Sequence, residues 1–353
     1  DLSNKIFWFS GTFYSHDAGG TAPNEVGNWW SADDGSGFNP SDFTRSDDKF
    51  IVRSGDTYTG TDSWTVAGEI QVIGTLSTGS FAVTMAGNTD IDGTLTIPTG
   101  GVYDADGAFD GTGSTINQDG TSRLRMSGTV TSLGTLDAGA GTVEYDGGTQ
   151  NVLSDAYFNL EIDQSGTKTS QGLITAAGTL TVQNGATYDL VATTTTVTGT
   201  STIAGTTTVS TGTYNADGEF NASGAVTFTN AGALILSNTV TSLGTFTEST
   251  STVTYDGSSG QAVDADDYYN LIISGGATKT LQEATNVTNN LTVTASSTIL
   301  DVNTRTLDVN GTTAISSSGT VTVSTGTFDA DGEMNCTANF TFTDDGALTF
   351  SNT

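Results

Sequence analysis

The sequence is nearly devoid of several residue types. Its 353 residues include one cysteine (Cys336), one histidine (His16), three prolines and nine lysines and arginines together. A single cysteine permits no internal disulfide, and with a single histidine it excludes a Cys/His metal centre. No apolar run approaches the roughly 18 residues that a membrane-spanning helix needs. Against the nine bases stand 39 acids, giving a formal net charge of −30. Such an excess repels phosphate backbones and anionic lipid heads, so neither nucleic acid nor direct membrane insertion is expected. Only 8 of the acids are Glu and 31 are Asp. Asp, Gly, Thr and Ser are poor helix formers, which excludes a helical bundle and an α/β domain built on amphipathic helices.

What is present points to strands. Threonine numbers 69, about a fifth of the chain, with 45 glycines and 35% hydrophobic residues. Those hydrophobic residues alternate regularly, as in Gly93-Thr-Leu-Thr-Ile97, Gly178-Thr-Leu-Thr-Val182, Gly319-Thr-Val-Thr-Val323 and Asn339-Phe-Thr-Phe-Thr343. Period-two alternation marks a strand with one buried face and argues against disorder. The opening is different: residues 1–64 hold all four tryptophans and 12 of the 30 aromatics.

A long internal repeat organises the rest. Tyr103-Asp-Ala-Asp-Gly107 returns as Tyr214-Asn-Ala-Asp-Gly218 and Phe328-Asp-Ala-Asp-Gly332, at offsets of 111 and 114. Thr129-Val-Thr-Ser-Leu-Gly-Thr135 returns at Thr239–Thr245, Thr142-Val-Glu-Tyr-Asp-Gly147 at Thr252–Gly257, and Lys168 at Lys279. We place an aromatic-rich cap or head at 1–69 and repeats at 70–178, 179–289 and, in part, 290–353. The finer spacings, Gly74 to Gly93 and Gly178 to Gly199, suit one coil of a parallel β-solenoid. Tandem β-sandwiches are the alternative, but no linker and no buried Trp or Cys landmark separates the copies.

The run Thr252-Val-Thr-Tyr-Asp-Gly, then Gln261-Ala-Val, Tyr268-Tyr-Asn-Leu-Ile-Ile-Ser and Thr278-Lys-Thr-Leu281 resembles a repeat of large secreted bacterial surface proteins. These are right-handed parallel β-helix proteins of the adhesin type. Trp8-Phe-Ser-Gly, Gly27-Asn-Trp-Trp-Ser31 and Asp47-Asp-Lys-Phe-Ile-Val52 are similar to their lead-in segment. The resemblance implies a solenoid at the cell surface and supplies no catalytic residues.

Few constellations carry chemistry. Asp104 and Asp106 stand two apart, on one face of a strand, with Asp110 beyond the turn; the equivalents are Asn215, Asp217, Asn221 and Asp329, Asp331, Asn335. Oxygen ligands at this spacing suit Ca²⁺, the one candidate cofactor, although Asp and Gly are also ordinary turn residues. Pectin-degrading β-helix chemistry would need a cleft with acid/base carboxylates and basic residues. Here Lys168 and Lys279 recur with the repeat, Arg123, Arg125 and Arg305 stand isolated in sequence, and no enzyme is expected. Thr-x-Thr pairs invite an ice-binding reading, but they keep no constant coil interval. Trp8, Trp29, Trp30 and Trp64 read as a solenoid cap, with a subunit contact or glycan site as alternatives. Cys336 shares strand parity with Met334 and is expected to point inward. Six Asn-x-Ser/Thr sequons (Asn221, Asn286, Asn290, Asn310, Asn335, Asn339) are candidate glycosylation positions.

The chain opens at Asp1 without Met, as a mature exported product would. Copy three stops at Ser351-Asn-Thr353, where copy two continues, so further chain or another subunit is expected to cover that end. The expected function is a structural cell-surface protein whose partners are copies of itself in an extracellular filament, sheath or stalk. The alternative is a monomeric adhesin stalk binding glycans or other surface material.

Overall fold

Alternation becomes strand wherever it occurs. Thr94–Ile97 buries Leu95 and Ile97 completely while its threonines face outward. The computed structural model describes residues 11–16, 22–316 and 318–351, and within them there is no α-helix. Two compact units divide the chain, Asp1–Leu160 and Glu161–Thr353. Each is a parallel β-solenoid, and the chain makes about 15 turns.

In the first unit three strands make a coil. One sheet stacks Lys49–Val52, Glu69–Val72, Thr89–Ile91, Phe109–Asp110 and Val130–Ser132. A second stacks Thr57–Thr59, Thr75–Ser77, Thr94–Ile97, Thr115–Gln118 and Thr135–Asp137; a third runs from Trp64–Val66 through Arg123–Met126 to Thr142–Tyr145. Register holds from coil to coil: Tyr58 pairs with Leu76, Leu76 with Leu95 and Leu95 with Ile116. All four are fully buried, forming one column of the core. These parallel pairings between sequential coils exclude tandem sandwiches, whose strands pair antiparallel. Stacking is already under way at Lys49–Val52, and the antiparallel pair Thr12–Ser15 with Trp29–Trp30 continues that sheet.

The second unit repeats the scheme. One of its sheets stacks nine strands in parallel from Ile174–Ala176 to Met334–Cys336. Outward threonines form short ladders, such as Thr208, Thr227 and Thr247, where β-branched side chains suit the pleated surface. The sheets are not all of one length. Two end at Val240–Ser242 and Thr245–Thr247, and two new ones begin at Gln261–Val263 and Asp267–Tyr268.

Two sequence expectations are corrected. Cys336 lies in register with Ile315 but is exposed, because among the described residues no following coil covers its strand. Arg123, Arg125 and Arg305 are isolated only in sequence. Stacking of one coil on the next brings Arg123 against Glu144, Arg305 3.0 Å from Glu283, and Arg125 against three carboxylates.

Candidate functional site

The three Asp-Ala-Asp-Gly copies share a strand position and differ in what the neighbouring coils place beside them. In copy one Asp104 stands in register with Arg125, whose Nη1 lies 3.4 Å away. Burial pushes the Asp104 carboxyl up, and Arg125 pulls it back. In copy two Asn215 stands between Thr196 and Ile235 and donates from Nδ2 to Asp217 at 3.0 Å. In copy three Asp329 stands beside Asp308, and Asp308, Asp329 and Asp331 bring carboxylate oxygens within 4.8 Å of one another. Burial and the two like charges raise the Asp308 carboxyl. Three carboxylates fall short of the six to eight oxygens that Ca²⁺ takes.

The third residue of each expected set lies elsewhere. Asp110 belongs to a different sheet, beside Asp90, and its Oδ1 caps its own turn by accepting from Thr112 N at 2.9 Å. Asn221 stands in register with Thr202, and Asn335 with Ala314. Asp106 and Asp217 are exposed. Asp308 was not anticipated, because nothing in the motif announces the residue one coil earlier.

A second set of residues recurs with closer geometry, and it is buried. In copy one Gln150 accepts from Gly147 N at 2.7 Å and donates to the carbonyls of Met126 and Gly128, each at 2.7 Å. In copy two Gln261 accepts from Gly257 N at 2.8 Å and donates to the carbonyls of Leu236 at 2.9 Å and Asn238 at 2.6 Å. Each glutamine thus holds its own turn to the coil before. Beside it a tyrosine pair closes the same loop. Tyr157 donates to Leu153 O at 2.7 Å, which leaves Tyr145 to donate to Tyr157 at 3.0 Å while accepting from Leu153 N at 3.2 Å. Tyr255, Tyr268 and Asp264 repeat this at 3.0, 2.9 and 3.1 Å. Burial pushes the Tyr145 hydroxyl up to about 12.

Further members complete the arrangement. Ser127 donates to Asp146 and Ser237 to Asp256, each at 2.8 Å. Lys168 and Lys279 are fully buried along with their stems. Lys168 Nζ donates to Gln164 O at 2.8 Å, and Lys279 Nζ donates to the carbonyls of Gly257 and Gly276. Burial lowers the Lys279 ammonium, against the pull of Asp256. Searches of protein families, curated proteins and solved structures find no match. Among the described residues the recurrent polar contacts either join one coil to the next or close a loop within a coil.

In the first unit Arg125 adds an ionic clasp across three coils. Its Nε and Nη2 lie 3.3 Å from Glu144 and 2.8 Å from Asp146, while Nη1 reaches back to Asp104. The Glu144 and Asp146 side chains are only 3% and 5% exposed.

The aromatic segment packs as a cluster. Trp29 is fully buried, with its ring 5.2 Å from Phe50, 5.4 Å from Tyr58 and 5.9 Å from Trp64, and it donates from Nε1 to Pro23 O at 2.9 Å. Trp64 is buried as well, Trp30 is half-buried against His16, and Trp8 lies outside the described residues. A surface pocket of about 470 Å³ opens nearby between Tyr14, Asp33, Ile51, Arg53 and Ile73. Its guanidinium is engaged by Asp33 at 3.1 Å and Asp56 at 3.3 Å. Of the sequons, Asn290, Asn310, Asn335 and Asn339 are exposed, while Asn221 and Asn286 are half-buried. No helix among the described residues is long and apolar enough to cross a membrane.

Proposed function

We propose that the protein is a non-enzymatic structural component of the cell surface, a solenoid scaffold that assembles with copies of itself into an extracellular filament, sheath or stalk. The observation that carries this reading is the use made of its recurrent polar residues. Gln150 and Gln261, with Asp146 and Asp256, bond backbone and side chains of adjacent coils, and the tyrosine pairs close a loop within a coil. Reactive groups would instead converge on a cleft. The acidic exterior keeps such a protein solvated, and in a medium rich in divalent cations the Asp308, Asp329 and Asp331 carboxylates would attract them loosely. Negative-stain electron microscopy of native material tests the reading. Filaments or sheets are the expected result, and discrete single particles at all concentrations would overturn assembly in favour of a monomeric adhesin stalk.

A further inference from the structure

The sequence contains two Asn-Gly steps, Asn184–Gly185 and Asn310–Gly311, and the fold treats them differently. Asn184 and Gly185 are the central residues of the turn joining strands Leu180–Val182 and Ala186–Leu190, which Ala186 N closes by donating to Gln183 O at 3.0 Å. Both are exposed. Gly185 has a φ of +87°, the setting of the second central residue in a type II turn, and a Cβ built on it would meet no atom within 4 Å. Among the described residues no hydrogen bond holds the Gly185 N–H or the Asn184 side chain.

The other step is tied down. Asn310 donates from its main-chain N to Val287 O at 3.0 Å and from Nδ2 to Asn286 Oδ1 at 3.3 Å, both one coil back. A Cβ on Gly311 would collide with the Asn289 carbonyl, so there is no room for the backbone to turn. Several Asp-Gly steps are restrained at the glycine itself. Gly93 N donates to Val72 O at 2.8 Å and Gly111 N to Ser132 O at 2.9 Å. Gly147 N and Gly257 N donate to Gln150 and Gln261 at 2.7 and 2.8 Å. The glutamine clamps thus occupy the one nitrogen that could attack the preceding carboxyl carbon, and that nitrogen must give up its bond before it can react.

We propose that the Asn184–Gly185 turn is a site of spontaneous covalent modification, at which Asn184 loses ammonia. Solvent removes the proton from the Gly185 nitrogen, which attacks Cγ of Asn184. The N–Cγ bond forms, the Cγ–Nδ2 bond breaks, and Nδ2 leaves as ammonia carrying protons returned by water. Water then opens the resulting five-membered imide. Cleavage of N–Cγ gives an ordinary aspartyl residue, and cleavage of the main-chain N–C bond gives an isoaspartyl residue. Either product adds one negative charge to the turn, and the second also adds a methylene to the main chain of a two-residue connection. The chemistry needs only water and is independent of the scaffold reading.

Peptide mapping by mass spectrometry, with enzymatic methylation of isoaspartyl carboxylates, tests this on the full unglycosylated chain incubated at pH 8. Asn310 in the folded chain reacts only after local opening, so Asn184 is expected to deamidate at least ~10-fold faster. In urea the two rates are expected to converge, because both steps have the same Asn-Gly chemistry. Equal rates in the folded chain would overturn the proposal. A preference for Asn184 that persists unchanged in urea would assign it to the neighbouring sequence and remove the role of the fold. Asn184→Gln, whose longer side chain forms the ring far more slowly, is expected to lose most of the methyl incorporation and to keep the parent's melting temperature. Undiminished incorporation in that variant would place the labile step elsewhere.

Discussion

At the scale of single residues, the recurrent polar side chains are the ones whose loss should be felt most. Replacing Gln261 by Leu keeps the bulk of the side chain but strands Gly257 N–H and two carbonyls inside the second unit. A buried group left unpaired costs about 1–3 kcal/mol. We expect Gln261→Leu to destabilise by at least ~2 kcal/mol in urea unfolding, and an equally folded, equally stable variant would refute the clamp. Asp266 works in the opposite direction. Burial, together with Asp264, Asp267 and Glu248, pushes its carboxyl up to about 7 from an ordinary 3.8. Between those values the folded chain holds a proton that the unfolded chain releases, so this contribution to stability falls as pH rises and is lost above about 7. Asp266→Asn should therefore raise the melting temperature at pH 8 and leave it nearly unchanged at pH 4, as differential scanning calorimetry of both proteins would show.

At the scale of strands and coils, the short period of the stacking turns distant residues into neighbours. Arg125 meets Asp104 one coil back and Glu144 and Asp146 one coil on. Removing one partner from a nearly buried ionic group leaves the other uncompensated, at about 3–5 kcal/mol. Because Arg125 is itself 33% exposed, solvent screening reduces this, and we expect Arg125→Met to cost ~2 kcal/mol in chemical denaturation. The same stacking explains what could be read from the sequence and what could not. Period-two alternation and the spacings Gly74 to Gly93 and Gly178 to Gly199 gave away strands, coils and the parallel solenoid, because inward and outward faces are set by local pattern. Lys168 and Lys279 were legible as structural from their recurrence. The Asp308 cluster and the Arg125 clasp were not, since they depend on register between coils, and a one-residue shift would turn every side chain to the other face. Cys336 had the inward parity expected of it, but parity says nothing about whether a neighbour lies above. Gln150 and Gln261 did leave a signal: a polar residue recurring at an inward position where alternation calls for an apolar one.

At the scale of the whole molecule, seven of the nine bases are drawn inward or paired. All five arginines lie beside acids, and Lys168 and Lys279 are buried, so these bases do little to offset the −30 at the surface. The skewed composition has structural uses, with Thr in the ladders, Gly and Asp at the corners and cations at the joints between coils. Length is the other whole-molecule property. Thr179-Leu-Thr-Val and Asn290-Leu-Thr-Val are equivalent starts, one full repeat apart. Deleting residues 179–289 should give a soluble, cooperatively unfolding protein with an unchanged circular-dichroism shape, whereas deleting only the first half of that stretch should not. The reason lies in the coil where two sheets stop at Val240–Ser242 and Thr245–Thr247 and two others start at Gln261–Val263 and Asp267–Tyr268. Each such coil resets which side of the solenoid carries which strand, so only a whole copy returns the chain to the phase it left. Unequal recombination between copies would then lengthen or shorten the protein in fixed quanta, each product foldable and none intermediate, like a ruler that can be cut only at its marked divisions.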